Sequence, residues 1–210
     1  MSGKFITIEG GEGAGKSTQI RLLAEWLSER GIPIVATREP GGSPGAEAIR
    51  KLLVEGSADK WDGLTEALLH CAARRDHLVR TVWPALARGE WVISDRFADS
   101  TRAYQGYGHG LPLPTVDRLY ELTVGDFKPD LTVLLDLPAE EGLKRAAKRK
   151  GGERRYESMD IEFHRRLRDG FLEIARAEPQ RCVVIDASGT LEAVHMALLM
   201  AVIQRLRPPS

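Results

Sequence analysis

The chain has 210 residues, of which 42% are hydrophobic, and its 30 basic residues balance its 30 acidic residues. This length predicts one domain with enough apolar side chains for a core, and the neutral balance argues against general attraction to nucleic acid or to a membrane surface. No stretch approaches the roughly 18 consecutive apolar residues of a membrane span, and the N-terminal residues lack the apolar region of a signal peptide. We therefore expect a cytoplasmic protein without a membrane or nucleic-acid partner.

The chain opens with the pattern of a strand, a glycine-rich loop and a helix. Phe5–Ile8 is a short apolar run of strand type, and apolar residues recur at helical spacing over 20–27, up to a stop at Gly31. Between them, residues 10–17 fit G-x-x-x-x-G-K-[ST], the P-loop that binds phosphates. A glycine-rich turn that matches by accident is the alternative, and the strand and helix on either side argue against it.

Each residue type in this loop has a physical role. Glycine lets the backbone wrap around phosphate oxygens, and the helix that follows adds N–H groups and partial positive charge. Lys16 supplies an ammonium for the outer phosphates, and Ser17 supplies a hydroxyl for a phosphate-bound Mg²⁺. The predicted nucleoside triphosphate site consists of Gly10, Gly11, Glu12, Gly13, Ala14, Gly15, Lys16, Ser17 and Thr18.

Five apolar runs of strand type alternate with helical stretches: Phe5–Ile8, Ile34–Thr37, Trp91–Ser94, Leu131–Leu135 and Val183–Ile185. Their nearly continuous hydrophobicity predicts strands covered on both faces, hence a three-layer α/β fold with a doubly wound, five-stranded parallel sheet and helices on both sides. Without a linker that could divide it, the chain is expected to be one P-loop domain over residues 1–210.

A polar residue follows every one of these runs, and the set is Glu9, Arg38, Asp95, Asp136 and Asp186. Ligands of open α/β sheets bind beyond the carboxyl ends of the strands, so all five are candidates, with capping of the next turn as the alternative. The pair Asp95-Arg96 could equally be a local ion pair. After it, Ser100–Gly108 is rich in hydrogen-bonding and aromatic groups that suit a planar polar ring, although an ordinary loop remains an alternative.

A basic segment at about 147–157 predicts a lid. The cations around it are Lys144, Arg145, Lys148, Arg149, Lys150, Arg154 and Arg155, interrupted by two glycines. A solvated helix end or a nucleic-acid contact would also explain this run. Beside a P-loop, a closing lid that delivers arginine to the transferred phosphoryl group and excludes water becomes the favoured interpretation.

Taken together, these residues resemble the bacterial thymidylate kinases, a family of P-loop nucleoside monophosphate kinases. The match covers nearly the whole chain in order, from the P-loop through Glu66–His77 to the basic segment. Many proteins share the P-loop, whereas Arg-Glu-Pro-Gly-Gly at 38–42 and Asp-Arg…Ser…Ala-Tyr-Gln-Gly at 95–106 are far more discriminating.

The resemblance implies transfer of the γ-phosphoryl group of ATP to the 5′-phosphate of dTMP, with Mg²⁺ as cofactor and a homodimer as the assembly. It assigns Mg²⁺ to Ser17 and Asp95. It assigns catalysis to Lys16, Glu12, Arg96 and the lid residues Arg149, Arg154 and Arg155. The implied dTMP-binding residues are Glu12, Arg38, Pro40, His70, Arg74, Asp95, Arg96, Ser100, Tyr104 and Gln105.

Within that set, the resemblance assigns different residues to the phosphate, the sugar and the base of dTMP. Arg96 and Arg74 would grip the acceptor phosphate, and Glu12 would lie near the sugar and its phosphate. Contacts to the base or to the deoxyribose would come from Ser100, Gln105 and Tyr104.

Two positions depart from the family pattern, and a third is one at which members of the family differ. His70 stands where the family usually has a phenylalanine that stacks on thymine, which raises the question of its charge. Ala73 replaces a common acidic residue that would orient Arg74. Gly13 stands where some members carry an arginine in the P-loop, so the catalytic cations would have to come from the lid.

Two rival functions stay open at this point. One is another small P-loop kinase, acting on other nucleotides, on deoxynucleosides or on shikimate. The other is a P-loop ATPase that works as a switch by binding a partner. No Asn-Lys-x-Asp motif for guanine is present, and a switch has no evident use for the Ser, Tyr and Gln segment.

Overall fold

The computed structural model describes residues 3–57, 59–148 and 155–209. Its sheet has five strands in the order β2-β3-β1-β4-β5, and every neighbouring pair is parallel. The strands are β1 (Phe5–Glu9), β2 (Ile34–Arg38), β3 (Trp91–Asp95), β4 (Leu131–Asp136) and β5 (Cys182–Asp186). Each predicted run lies inside an observed strand, and each strand continues by one residue to end on the polar side chain that follows it.

The described residues also form nine α-helices and two π-helical segments. The helices are α1 (Lys16–Ser28), α2 (Pro44–Val54), α3 (Gly63–His77), α4 (Trp83–Ala87), α5 (Ala98–Thr101), α6 (Leu113–Thr123), α7 (Ala139–Ala147), α8 (Ile161–Ala177) and α9 (Leu191–Leu206). The π-helical segments, Leu78–Val82 and Arg102–Gly108, directly follow α3 and α5. Across the described ranges, no helix combines the length and apolar character needed to span a membrane.

Helices cover both faces of the sheet because the side chains of its strands alternate in direction. On one face, Ile6 of β1 and Leu135 of β4 pack with α1 and α9. On the other face, Phe5 packs near the π-helical segment after α3, and Leu134 packs against α8. The central strands β1, β3 and β4 are almost wholly buried, whereas the edge strands β2 and β5 are partly exposed. The predicted three-layer, doubly wound architecture is confirmed.

The carboxyl ends of the parallel strands meet at one edge of the sheet. Asp95 is in register with Ile8 of β1 and with Arg38 of β2, which brings the ends of β1, β2 and β3 together. The carboxylates at the other two strand ends are engaged by partners of their own. Asp136 forms an ion pair with Arg168 at 2.7 Å, and Asp186 accepts a hydrogen bond from the backbone of Ser188 at 2.9 Å. The candidate site therefore lies at the ends of β1, β2 and β3.

Candidate active site

The phosphate loop between β1 and α1 has the backbone of an anion site. Gly13 and Gly15 have positive φ angles of 69° and 88°, which a residue with a Cβ adopts only with strain. Gly15 is the N-cap of α1, and no described side chain caps that helix end. By contrast, Asp62 caps α3 through hydrogen bonds from two backbone N–H groups. The first N–H groups of α1 are thus left for a ligand.

A close backbone contact holds this loop against α7. A Cβ on Gly13 would lie 2.1 Å from the carbonyl oxygen of Gly142, and a Cβ on Gly142 would lie 2.4 Å from the carbonyl oxygen of Glu12. Both positions therefore require glycine. An arginine at position 13, as in some family members, would have to displace α7. The same helix carries Arg145, a member of the basic cluster, which lines the cavity described below.

Lys16 is folded back into the loop. Its Nζ donates hydrogen bonds to the carbonyl oxygens of Gly10 at 3.1 Å and Gly11 at 2.8 Å. Burial, together with the charge of Arg96, lowers the pKa of Lys16 to about 8. Two carbonyl dipoles compensate the buried ammonium only in part. A phosphate anion in the loop would stabilise its charged form.

Ser17 and Asp95 come together although 78 residues separate them, since the Ser17 hydroxyl donates to Asp95 Oδ2 at 3.0 Å. A hydroxyl and a carboxylate are oxygen ligands of the kind Mg²⁺ takes, and Mg²⁺ usually combines one or two carboxylates with substrate phosphates and waters. The described residues contain no larger cluster of His, Cys, Asp or Glu that could hold a metal ion. This pair therefore fits the expected Mg²⁺ site.

Arg96 points into the site from a left-handed backbone conformation. Its φ angle is 72°, which is strained for a residue with a side chain and typical of functional positions. The guanidinium donates to Gly10 O and to Glu12 Oε1, both at 3.0 Å, and lies 4.9 Å from the ring centre of Tyr104. The Tyr104 hydroxyl donates to the same Glu12 oxygen at 2.7 Å. Arg96 thus pairs with Glu12 of the phosphate loop rather than with its neighbour Asp95.

Ser100 lies between Arg96 and a buried acid. Its hydroxyl accepts from Arg96 at 3.2 Å and donates to Glu9 Oε2 at 2.6 Å, and the backbone N–H of Phe97 donates to Glu9 Oε1 at 2.7 Å. Burial and the charge of Asp99 raise the pKa of Glu9 to about 8. The Ser100 hydroxyl already has Glu9 and Arg96 as partners. Its contact with the base stays a prediction.

Arg74 is fixed by a buried ion pair. Its Nε donates to Glu39 Oε2 at 2.8 Å, and both side chains are at most 4% exposed. A second nitrogen donates to Thr101 Oγ1 at 2.9 Å, and His77 contacts the other Glu39 oxygen at 3.0 Å. Glu39 therefore supplies the orienting carboxylate that the alanine at position 73 lacks.

Arg38 lies next to this pair on the second strand. It is half-exposed and forms an ion pair with Glu47 at 3.1 Å. The peptide bond that joins Glu39 to Pro40 is cis. Arg38 and Pro40 thus form an outer, more exposed part of the cavity wall.

His70, the residue that replaces the usual phenylalanine, lies at the other end of the cavity. Its Nε2 is 3.0 Å from the hydroxyl of Tyr156. Burial lowers the pKa of His70 to about 4, so the imidazole is neutral at physiological pH. The charge that this substitution could have introduced is therefore absent under ordinary conditions.

Two of the three predicted lid arginines, Arg149 and Arg154, lie outside the described residues. The third, Arg155, is buried and forms an ion pair with Glu66 at 2.5 Å. Its guanidinium also donates to backbone carbonyls of Leu53 at 3.1 Å and Ser57 at 3.0 Å. These contacts place Arg155 in a structural network, and a role at the transferred phosphoryl group would require its side chain to move.

One cavity of about 560 Å³ unites these groups. This volume lies in the usual range for small-molecule sites. Its walls include residues 12–18 of the phosphate loop. All ten predicted acceptor residues also line it: Glu12, Arg38, Pro40, His70, Arg74, Asp95, Arg96, Ser100, Tyr104 and Gln105. The residues that the sequence analysis grouped therefore line one cavity, while their individual roles stay predictions.

The sequence analysis gave no role to Glu66 or Tyr156, which lie at the same end of the cavity as His70. Glu66 is fully buried and receives hydrogen bonds from Gln105 at 2.7 Å and Tyr156 at 3.0 Å. One signal was present in the sequence. Glu66, His70 and Arg74 recur every four residues, which puts three polar side chains on one face of α3.

Comparison with known proteins gives consistent results. The family model described as thymidylate kinase matches residues 8–198. A thymidylate kinase of Caulobacter vibrioides is 60% identical over 204 residues, which are 97% of this chain and 98% of that protein. One from Rhodopseudomonas palustris is 55% identical over 213 residues, covering 100% of this chain and 93% of the relative. The crystal structure of thymidylate kinase from Ehrlichia chaffeensis superposes with a TM-score of 0.78 at 39% identity, covering 96% of this chain and 99% of that one.

The position of His70 generates a prediction about pH. Calorimetric titration with thymidine, which carries no phosphate, should give a dissociation constant that changes less than about twofold between about pH 5.5 and 7, because an imidazole with so low a pKa stays neutral in that range. His70→Phe, which cannot titrate, is the matched control and should give an equally flat profile. A step near the ordinary histidine pKa in the wild type, absent from the variant, would show that burial does not keep this ring neutral.

Proposed function

This chain belongs to the thymidylate kinase family, and we propose that its cavity transfers the γ-phosphoryl group of ATP to the 5′-phosphate of dTMP, giving dTDP and ADP. The chain is a kinase that phosphorylates dTMP. The observation that carries the proposal is that residues 12–18 of the phosphate loop and all ten predicted acceptor residues line the same cavity. Donor and acceptor can therefore meet in one space.

The phosphate loop would hold the donor. The uncapped N-terminus of α1 offers backbone N–H groups to the phosphates of ATP, and Lys16 offers an ammonium. On binding, Lys16 would exchange its two carbonyl partners for phosphate oxygens. Charge on the transferred group spreads over its equatorial oxygens in the transition state, where a fixed cation stabilises it most.

Arg96 would hold the acceptor phosphate. Two polyanions repel each other, so a cation between them is needed to bring them into line. Arg96 lies beside the phosphate loop and is oriented by Glu12, Gly10 and Ser100. We assign Arg74 a supporting position at this end, because Glu39 and Thr101 already engage its guanidinium.

The reaction itself needs little covalent chemistry from the protein. An ionised oxygen of the dTMP phosphate attacks in line, so neither a covalent intermediate nor a strong general base is required. Mg²⁺ held at Ser17 and Asp95 would neutralise charge on the donor phosphates. The side chains of this protein position the two substrates and compensate their charge.

We also propose that the whole chain, 1–210, is one kinase domain whose basic segment at about 147–157 closes as a lid. Arg149 and Arg154 would then supply charge to the transferred group. They lie outside the described residues, so the sequence alone supports this part of the proposal. A cytoplasmic location is proposed on the same footing, because the substrates are cytoplasmic nucleotides in this interpretation.

A homodimer is proposed from exposed apolar side chains on neighbouring helices. Leu64 and Leu68 of α3 are 42% and 49% exposed, and Leu122 of α6 is 82% exposed. Helices α3 and α6 contact each other, so these side chains lie in one region of the surface. Covering them with a second copy would remove apolar area from water.

The acceptor specificity tests the proposed function directly. With ATP and Mg²⁺, dTMP should give the highest kcat/KM in a panel that includes the other nucleoside monophosphates, thymidine and shikimate, because the resemblance in 95–106 is to residues that contact thymine. ATP hydrolysis measured without acceptor should be slow. A higher kcat/KM for another acceptor in the panel would contradict the dTMP assignment. Fast ATP hydrolysis whose rate does not depend on dTMP would favour an ATPase switch.

Substitution of the two cations should separate their roles. Lys16→Ala should lower kcat about 100- to 1,000-fold by removing charge from the transition state, and Arg96→Ala should lower kcat/KM for dTMP by a similar factor of about 100 or more with little change in the KM for ATP. Lys4→Ala and Arg21→Ala, which remove ion-paired cations outside the cavity, are the controls. Near-normal kcat in Lys16→Ala, or unchanged use of dTMP in Arg96→Ala, would contradict the assigned roles.

Sedimentation velocity tests the assembly. The wild type should sediment as a dimer, and Leu122→Glu should shift it toward the monomer, because a charge would be buried at the interface. Met196→Glu, at a side chain 60% exposed on α9, provides the control for a charge on another apolar surface. A monomeric wild type, or an equal effect of both substitutions, would place the contact elsewhere.

A further inference from the structure

The peptide group between Arg96 and Phe97 is held at both ends. Its carbonyl oxygen accepts a hydrogen bond from the Ser94 hydroxyl at 2.7 Å. Its N–H donates to Glu9 Oε1, also at 2.7 Å. The two side chains that hold it, those of Ser94 and Glu9, belong to fully buried residues. The backbone N–H of Arg96 donates to the carbonyl oxygen of Ile8 at 3.0 Å. The turn after β3 is therefore fixed by groups of β1 and β3.

This turn contains the left-handed backbone of Arg96, whose φ angle is 72°. A residue with a Cβ keeps such a conformation only where the surrounding contacts enforce it. Since the contact with Ile8 fixes the nitrogen side of Arg96, rotation about its N–Cα bond to an ordinary negative φ would turn Cβ in another direction. The guanidinium would then leave its present partners, Glu12 and the carbonyl oxygen of Gly10. The direction of the Arg96 side chain thus depends on the turn.

Glu9 also supports the guanidinium of Arg96 through one intermediate residue. Its Oε2 accepts a hydrogen bond from the Ser100 hydroxyl at 2.6 Å. The oxygen of that hydroxyl accepts from the Arg96 guanidinium at 3.2 Å. The two oxygens of Glu9 therefore hold two separate parts of the same residue. Oε1 holds the backbone turn of Arg96, and Oε2 holds its guanidinium through Ser100.

A carboxyl group is unfavourable for packing at this position. Glu9 is the last residue of β1, and all five residues of that strand are buried. An apolar side chain of similar size would fill the same space without the cost of removing a carboxyl group from water. What distinguishes Glu9 from an apolar residue is the pair of hydrogen bonds that it accepts. Both of them lead to Arg96.

We infer that Glu9 is a positioning residue for the acceptor: it holds Arg96 in the left-handed conformation and so directs the guanidinium toward the acceptor phosphate. Glu9 is fully buried, so it acts through Arg96 rather than on the substrate itself. Ser94 has the same part at the carbonyl end of the peptide group. This inference rests on the proposed function and adds to it a residue behind the cavity wall on which the use of dTMP depends.

Two substitutions of Glu9 separate its hydrogen bonds from its charge. Glu9→Met removes both acceptor oxygens and should lower kcat/KM for dTMP by about tenfold to 100-fold, with less than about a threefold change in the KM for ATP. Glu9→Gln keeps an oxygen for the Phe97 N–H and a polar group for Ser100, so kcat/KM should stay within about threefold of the wild type. Asp130→Ala is the matched control, because Asp130 accepts the backbone N–H of Phe5 at the other end of β1 at 2.9 Å. Neither kinetic constant should change in that variant.

Combination with Arg96→Ala tests whether Glu9 acts through Arg96. If it does, Glu9→Met should change kcat/KM for dTMP less than about twofold once Arg96 is alanine. A residue that only stabilises the fold would lower activity by the same factor in both backgrounds. Circular dichroism establishes that each variant is folded. Ser94→Ala, which frees the carbonyl end of the same peptide group, carries the test if Glu9→Met does not fold. It should show the same selective loss for dTMP and the same dependence on Arg96.

Crystal structures of the folded variants supply a measurement that does not depend on activity. In Glu9→Met or Ser94→Ala, the φ angle of Arg96 should leave the left-handed region and the contact with Glu12 should be lost. An unchanged Arg96 would overturn the inference. In a wild type that phosphorylates dTMP, so would an unchanged kcat/KM in Glu9→Met, an equal loss in both backgrounds, or an equal loss in Glu9→Gln. Failure of the proposed function is a different result, in which Arg96 moves as expected but the wild type forms no ADP in response to dTMP.

Discussion

The structure depends on positive charge that is buried or half-buried and held in place before a substrate arrives. Arg74 is paired with Glu39, Arg96 with Glu12, and Lys16 with two carbonyl oxygens. Burying an ion without partners is costly, so each of these contacts is needed for the fold as well as for the site. Lys16 has the weakest compensation, and burial accordingly lowers its pKa to about 8. The cavity is therefore built to gain stability when phosphate binds.

The two ends of the cavity would recognise their ligands by different interactions. The phosphate end offers backbone N–H groups, an ammonium and a guanidinium, which recognise charge and would accept many nucleotides. The base end is nearly neutral toward the ligand. There, the charge of Glu66 is compensated by the ion pair with Arg155 and by the hydrogen bonds from Gln105 and Tyr156. Affinity would come mainly from the first end and selection of the base from the second.

The sequence predicted what local patterns determine. Continuous apolar runs gave all five strands, and the P-loop followed from a motif whose residues are adjacent in the chain. Pairings across long separations were beyond such patterns. The Arg96 side chain binds Glu12, 84 residues away, rather than adjacent Asp95. Arg155 belongs to a run of charged residues that predicts a solvated lid. Its side chain is instead buried, in an ion pair with Glu66, which lies far away in the sequence. The roles within the site stay predictions for the same reason.

A crystal structure with dTMP, a non-hydrolysable ATP analogue and Mg²⁺ tests most directly whether one cavity joins both phosphates. The account predicts that the dTMP phosphate lies within hydrogen-bond distance of Arg96 and that the terminal phosphate of the analogue lies on Lys16. A complex in which dTMP lies outside this cavity, with Arg96 still bound only to Glu12, would contradict it.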